Sequence, residues 1–451
     1  MAGAAGQVQW SSRFAFIMAA VGSAVGLGNL WRFPFQTGEN GGAAFVFIYL
    51  ACVAFIAFPV LMSEFAIGRH AQKSAVSSTR KMAQDAGRSA NWSFVGWVCM
   101  IGGFLVLTTY SVIAGQVMAF SAAGFAGGFG QENMPFMGSN WWGLGWHAFF
   151  MLITVLVVAQ GLKGGIERVV TILMPIFFLT LIGLTIYAVV SGLESGATAR
   201  AAAYLFTPDF SVVDGGTFVS ALGQAFFSVG VASAIMITYG SYLSRDTNIA
   251  SSGIIISGAD TMVALIAGFM IFPIVFAFNV PTDAGMGLIF EALPNVFAGM
   301  PGGNFIGGAF FFLAFIAALT SSISLLEATV AFIDEHSDFG RGQIAWLFGG
   351  FAFLIGSGAV WSSEFAGQFI DVLSGEILLP FGGFLIAVFV GWVIPKKLLR
   401  EELQHASNGM FAFFHIMMRW VVPFAVGIVL VLGLDARFTG GYLNGLLGLG
   451  G

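Results

Sequence analysis

The chain has 451 residues, of which 58% are hydrophobic and 9% charged, where a soluble domain carries about 25% charged residues. So few charges cannot cover a water-facing surface, and the solvent around most of the chain is therefore lipid; the net charge of −5 says less than its distribution across the membrane. The apolar runs do not alternate in polarity, which excludes a transmembrane β-barrel.

A helix needs about 20 residues to cross a bilayer. The sequence divides into eleven segments of that kind, roughly 14–37, 43–68, 92–126, 145–160, 168–192, 216–243, 251–279, 304–334, 342–358, 365–394 and 412–433. The expected fold is all-α integral membrane, about 11 transmembrane helices in a single domain over 1–451. With the N-terminus cytoplasmic, fourteen of the 17 Lys and Arg fall on the inner side; only Arg200 and Arg437 fall outside, and Arg32 lies within a span. This positive-inside bias predicts a multi-pass protein of the cell (inner) membrane with a cytoplasmic N-terminus. Met1–Ser12 lacks a basic region, so the first segment reads as a retained span rather than a signal peptide. Cys52 and Cys99 both fall within spans, which argues against a disulfide framework, and the five His are scattered without metal-ligand spacing.

In chain order, the first segment places Gly22, Gly26 and Gly28 within seven residues at its middle, followed by Asn29. The third carries a phenol, Tyr110. The sixth, through Phe226–Ala234, is again small and polar at mid-depth, and the seventh carries an acid, Asp260. The eighth has a hydroxyl cluster, Thr320-Ser-Ser-Ile-Ser324. Each feature has a plain structural reading: glycines let helices pack closely, and hydroxyls bond back to their own helix. Taken together they describe a site. Interrupted helices five spans apart suggest a five-plus-five inverted repeat with broken helices 1 and 6, the first repeat about 10–192, the second about 216–394, and an extra helix about 412–433. An unwound stretch frees carbonyls that suit sodium, and amides at a following helix N-terminus that suit a carboxylate.

At these residues a resemblance becomes specific. The run Trp10-Ser-Ser-Arg-Phe through Gly22-Ser-Ala-Val-Gly-Leu-Gly-Asn-Leu-Trp-Arg-Phe-Pro34, then Glu39-Asn-Gly-Gly42, resembles the signature of the neurotransmitter:sodium symporters. Pro59–Arg69, Gly223–Ser228 and Leu319–Ser322 add matches in the family's order.

The resemblance implies two sodium ions. One would take Ala24, Asn29, Ser228 and Asp260, completed by the substrate carboxylate; the other would take carbonyls of Gly22, Val25 and Ala317 with hydroxyls of Thr320 and Ser321. It also implies a substrate carboxylate held by the Leu27 and Gly28 amides and Tyr110, under a lid at Phe227. Ser23, Val106, Ile113, Gly230, Ser233, Ser321 and Leu325 would line the side-chain pocket, with Ala24 and Ser228 also at the substrate. The gates would involve Arg32 and Phe227 outside and Glu335 inside. Two departures matter: the usual acidic partner of Arg32 falls at Ser374, with Asp371 one turn away as a substitute, and Gln7 stands where an inner-gate arginine is usual.

The expected function is a sodium-coupled symporter that imports neutral, hydrophobic or aromatic amino acids by alternating access, with chloride not required. It is not an enzyme, since no nucleophile–base pair or metal constellation is present in the sequence. Its partners are the small-molecule amino acid and the lipid bilayer, with no nucleic acid. The competing readings are a proton-coupled amino-acid or amine carrier of the same fold, against which the Thr320 and Ser321 hydroxyls argue, and a membrane sensor that does not transport.

Overall fold

The computed structural model describes residues 9–130, 139–281, 287–362 and 369–439. Every described element is helical: α1 (Arg13–Ala24), α2 (Gly28–Glu39), α3 (Ala43–Ala71), α4 (Ala75–Asp85), α5 (Ala90–Phe125), α6 (Asn140–Ala159), α7 (Leu162–Ser191), α8 (Ala197–Phe206), α9 (Gly215–Val229), α10 (Ile235–Ser241), α11 (Ile249–Ala277), α12 (Leu293–Gly299), α13 (Gly303–His336), α14 (Arg341–Trp361), α15 (Val372–Val393), α16 (Lys396–Glu402) and α17 (Asn408–Asp435). Among the described residues nine helices are long and apolar enough to cross a membrane, and α1 with α2, bent by 48°, makes a tenth candidate. The expected span 216–243 is divided into α9 and α10, separated by residues 230–234. The start of the expected span 365–394 and the Gln7 position lie outside the described residues.

Both breaks have local causes. Ser12 caps α1 by accepting from the Ala15 amide at 3.1 Å. At the other end Val25 turns extended (ψ 107°), and the chain resumes as α2 three residues later. Pro34 follows directly on the wide turn Gly28–Arg32 that opens α2. In the second break Gly230 closes α9 at φ 69°, a left-handed conformation that glycine takes without a Cβ penalty. Ala232 and Ala234 also sit at positive φ, 64° and 65°. Such residues cost on the order of 1 kcal/mol each and persist where the surroundings hold them. One holder is Glu64 of α3, buried in the core, whose carboxylate accepts from the Ala232 amide at 3.0 Å.

The two breaks face one another at the centre of the molecule. Gln224 of α9 donates to the Gly28 carbonyl at 3.0 Å. The longest helices, α5 and α13, run along each other beside the breaks, and α10 packs on α3. Apolar side chains cover the outer surface, with Leu179 72% and Phe305 66% exposed, as expected of a surface solvated by lipid.

Candidate substrate and ion site

A cavity of about 60 Å³ lies between the two breaks, α5 and α13. Of the expected pocket residues, Ser23, Ala24, Leu27, Gly28, Val106, Tyr110, Phe227, Gly230, Ser233, Ser321 and Leu325 all line it. Gly26, Phe226, Val231, Ile235 and Leu379 line it as well and were not expected from sequence. None of these side chains is charged. Two expected residues are not on the wall. Ile113 stands three residues beyond Tyr110, about 4.5 Å further along the helix, and packs on the core instead. Ser228 turns away from the cavity, toward Asp260.

The amide geometry of the first break fits a carboxylate. The Leu27 amide donates to the Tyr110 hydroxyl at 3.4 Å, so the two donor groups converge on one point of the cavity wall. Gly26 is in close quarters: a Cβ built on it would stand 3.0 Å from Ser321 Oγ and 3.2 Å from the Tyr110 hydroxyl. A larger residue here would have to displace the hydroxyls that face the cavity.

Beside the cavity is a cluster of buried oxygens. Asn29 Nδ2 donates to Asp260 Oδ1 at 2.7 Å, to the Asp260 carbonyl at 3.0 Å and to Ser228 Oγ at 3.0 Å. Ser228 Oγ donates to Asp260 Oδ2 at 2.7 Å and accepts from the Tyr49 hydroxyl at 3.3 Å. Asn29, Ser228 and Asp260 are fully buried. Asn29 Oδ1 accepts from the Gly26 amide at 2.9 Å, which an unbroken helix would have given to the Gly22 carbonyl. The break thus frees Gly22 for another partner. With the Asn29 amide turned over, its oxygen joins those of Asp260 and Ser228, a set of one carboxylate and neutral oxygens suited to a hard monovalent cation.

A second oxygen cluster sits where α1 meets α13. Thr320 Oγ1 donates to the Ile316 and Ala317 carbonyls, each at 3.1 Å. Ser321 Oγ donates to the Ser23 and Ala317 carbonyls, each at 3.1 Å. A Cβ on Gly22 would come within 3.3 Å of Thr320 Cβ, so α1 and α13 approach closely here. Val25 lies in the extended turn that follows Gly22 and Ser23. The back-bonding of Thr320 and Ser321 into their own helix is the plain reading; the crossing bond to Ser23 is what that reading lacks.

At one end of the cavity, where the resemblance implies a lid, a ring and a cation meet. The Arg32 guanidinium lies 4.7 Å from the centre of the Phe227 ring, a cation–π contact. Phe226, Phe227 and Leu379 form the wall common to the cavity and a second one of about 50 Å³ under Arg32. Asp371 does not substitute as the partner of Arg32: its Oδ1 accepts from Thr109 Oγ1 of α5 at 2.7 Å. Among the described residues Arg32 forms no ion pair, and Glu376 is the carboxylate whose field acts on it. The cause is a wide turn at Val372–Leu378, whose i→i+5 bonding rotates the start of α15 out of regular helical phase. Ser374 bonds back to the Ile370 carbonyl at 2.7 Å.

At the end of α13 Glu335, the expected inner-gate acid, pairs with Lys73 Nζ at 3.1 Å and accepts from the Ser74 amide and hydroxyl at 3.0 and 2.6 Å. Around a separate cavity that Glu335 lines lie contacts of residues that the sequence did not single out as gates. Trp10 donates from its backbone to the Tyr242 carbonyl at 3.2 Å and from Nε1 to the Tyr239 carbonyl at 3.1 Å. The Tyr242 hydroxyl donates to Glu327 at 2.6 Å, and Arg341 pairs with the same carboxylate. An aromatic residue just before α1 facing Tyr239 of α10 and Tyr242 just past it was the available signal.

A helical membrane protein with two broken helices, a small uncharged cavity between them and oxygen clusters at its edge is built as a carrier of small solutes. The comparisons with known proteins agree. The model of the Sodium:neurotransmitter symporter family matches residues 7–144 and 131–442. A sodium-dependent transporter of Bacillus subtilis (strain 168), YhdH, is 37% identical over 94% of this chain and 96% of its own length. A sodium-dependent transporter of Haemophilus influenzae is 30% identical over 94% of this chain and 98% of its own. The crystal structure of MhsT in complex with L-phenylalanine superposes with a TM-score of 0.86 at 38% identity, covering 94% of this chain and 99% of that one. The chain belongs to the sodium:neurotransmitter symporter family; it is a transporter and not an enzyme.

Proposed function

We propose that the chain imports neutral amino acids with hydrophobic or aromatic side chains, driven by sodium, across the cell (inner) membrane with its N-terminus cytoplasmic. The observation that carries the reading is the cavity itself: it has no charged side chain, one end presents the Leu27 amide and the Tyr110 hydroxyl, and the rest is mostly apolar, with the hydroxyls of Ser23, Ser233 and Ser321 among it. Such a wall suits a carboxylate at one end and a greasy side chain at the other. That MhsT was crystallised with L-phenylalanine supports the same substrate class. Two sodium ions would take the two oxygen clusters, the first around Ala24, Asn29, Ser228 and Asp260, the second around Gly22, Val25, Ala317, Thr320 and Ser321. Asp260 supplies a fixed negative charge beside the first ion, so chloride is not needed.

Transport would alternate access about the cavity, with Phe227 and Arg32 closing the outer side and the Glu335, Glu327 and Trp10 contacts the inner side. Sodium and substrate shift the population by binding the closed arrangement better than the open ones. The two broken helices would belong to inverted halves of five spans each. Uptake of labelled phenylalanine into proteoliposomes with an inward sodium gradient tests the reading. Accumulation that follows the sodium gradient supports it; accumulation that follows a proton gradient with sodium absent sinks it.

A further inference from the structure

Arg419 of α17 packs against the end of α15, away from the cavity. Its guanidinium stands 5.1 Å from the Trp392 ring and 5.7 Å from the Trp420 ring, and the two indoles meet edge to face with centres 5.0 Å apart. Trp392 Nε1 donates to the Arg419 carbonyl at 2.8 Å, which fixes the depth of Arg419 at the last turn of α15. Three residues past that turn α16 opens with Lys396, whose ammonium lies over the Phe411 ring at 5.9 Å. Arg88 reaches the same level and donates to the Val393 carbonyl at 3.3 Å. The charges of Lys396 and Arg419 both act on His415.

Among the described residues neither Lys396 nor Arg419 forms an ion pair, and Arg419 Nε is buried with no hydrogen-bond partner. An arginine at the edge of the hydrocarbon is costly unless something satisfies it. The helix also continues outward from this point in a particular way. Ile416, Trp420, Phe424 and Ile428, each four residues from the last, form one ridge, with exposures of 52%, 48%, 60% and 57%. A pair of cations with aromatic neighbours but no counter-ion, and an apolar ridge running along α17 beside them, match one kind of molecule, with an anionic head and a long tail.

We infer that the groove between α15 and α17 binds a phospholipid of net negative charge, its phosphate between Arg419 and Lys396 and an acyl chain along the Ile416–Ile428 ridge. On the orientation proposed above the lipid belongs to the inner leaflet. A zwitterionic lipid is disfavoured because its own ammonium would meet two cations.

The test uses the full chain, purified and stripped of lipid in neutral detergent, with equal amounts of phosphatidylglycerol and phosphatidylcholine of the same acyl chains. Bound lipid is counted by native mass spectrometry. The wild-type chain should retain phosphatidylglycerol preferentially. Arg419→Gln and Lys396→Gln should each reduce that preference about fivefold, the factor expected for one cation at a membrane surface. Lys396→Gln alters a group at the start of a short helix and keeps the test decisive where Arg419→Gln does not fold. Arg168→Gln, an exposed arginine elsewhere, should change nothing. Equal retention of the two lipids by the wild-type chain overturns the inference, as does an equal loss in Arg168→Gln. So does displacement of the lipid by excess inorganic phosphate, which would make the site one for the free anion. A dimer that Arg419→Gln dissociates would assign the face to a second copy of the chain and overturn it too.

Discussion

The Asn29 amide of α2 donates to the Asp260 carboxylate of α11 across 2.7 Å, joining the break in the first span to the middle of the seventh. Both residues are fully buried, so the carboxylate's charge has no solvent to screen it. In the proposed function that charge serves as ligand and as counter-charge for two cations and a zwitterion. Asp260→Asn keeps the shape and removes the charge, and uptake should fall to roughly a tenth or less, the size of effect expected when a buried charge loses its role. Replacing chloride with gluconate at constant sodium should leave wild-type uptake unchanged. A steep fall in that experiment refutes the counter-charge role.

Thr320→Val tests the second oxygen cluster. The change is nearly isosteric, and the hydroxyl it removes bonds only to the Ile316 and Ala317 carbonyls of its own helix. If those bonds are the whole of its role, sodium dependence will not move. If the hydroxyl coordinates sodium, the half-saturating sodium concentration should rise about 5- to 150-fold, for a loss of roughly 1–3 kcal/mol. A sodium titration of uptake distinguishes the two.

Outside the spans Glu402 gathers two cations and an imidazole: Arg69 at 3.1 Å, Arg245 at 2.6 Å and the His70 ring at 3.1 Å. Burial pushes its carboxyl up, but the hydrogen bond from His70 and the charges of Arg69 and Arg245 outweigh burial and hold it below its ordinary value. A carboxyl lowered on folding adds stability that is complete above its unfolded value and lost as pH falls through the folded one. Glu402→Gln should therefore destabilise the protein at pH 7 by about 1–3 kcal/mol. The gap between the two melting temperatures should close as pH falls through the carboxylate range. Melting curves in detergent at several pH values check this; a gap that is constant with pH contradicts it.

Much of this was legible in the residues, and what was not has physical reasons. Gly22, Gly26 and Gly28 announced the first break because only close packing or unwinding uses glycine at that density in a span. The hydroxyls at Thr320 and Ser321 announced α13's contact with it. Ala232 and Ala234 announced nothing, since alanine rarely takes positive φ; the second break depends on Glu64, which reaches it from α3. Depth along one helix and winding of another defeated two assignments. Ile113 shares a helix with Val106 and Tyr110 but lies too far along it, and a wide turn at the start of α15 sends Asp371 to Thr109 instead of Arg32. The proposed inner closure joins residues more than two hundred positions apart, Trp10 with Tyr239 and Tyr242, and no local pattern encodes such a pairing.

The substrate's carboxylate is the last point open to direct test. Carriers of amines in this family hold an acid at the position of Gly26, and that acid would meet the ammonium of a substrate lacking its own carboxylate. Here position 26 has no side chain, and a Cβ there would already press on Ser321 Oγ and the Tyr110 hydroxyl. No other side chain on the cavity wall is charged. What remains at that end is the Leu27 amide, the Tyr110 hydroxyl and the N-terminal end of α2, all of which favour an anion. Tryptophan and phenylalanine, which bring a carboxylate, should compete for uptake. Tryptamine, which has the same ring as tryptophan and no carboxylate, should compete about 10- to 150-fold more weakly, the cost of losing hydrogen bonds to a charged group. Leucine serves as the aliphatic control and should compete like the aromatic acids to within its loss of buried area. Competition by tryptamine as strong as by tryptophan would mean that the carboxylate is not recognised, and the amino-acid reading of the cavity would fall with it.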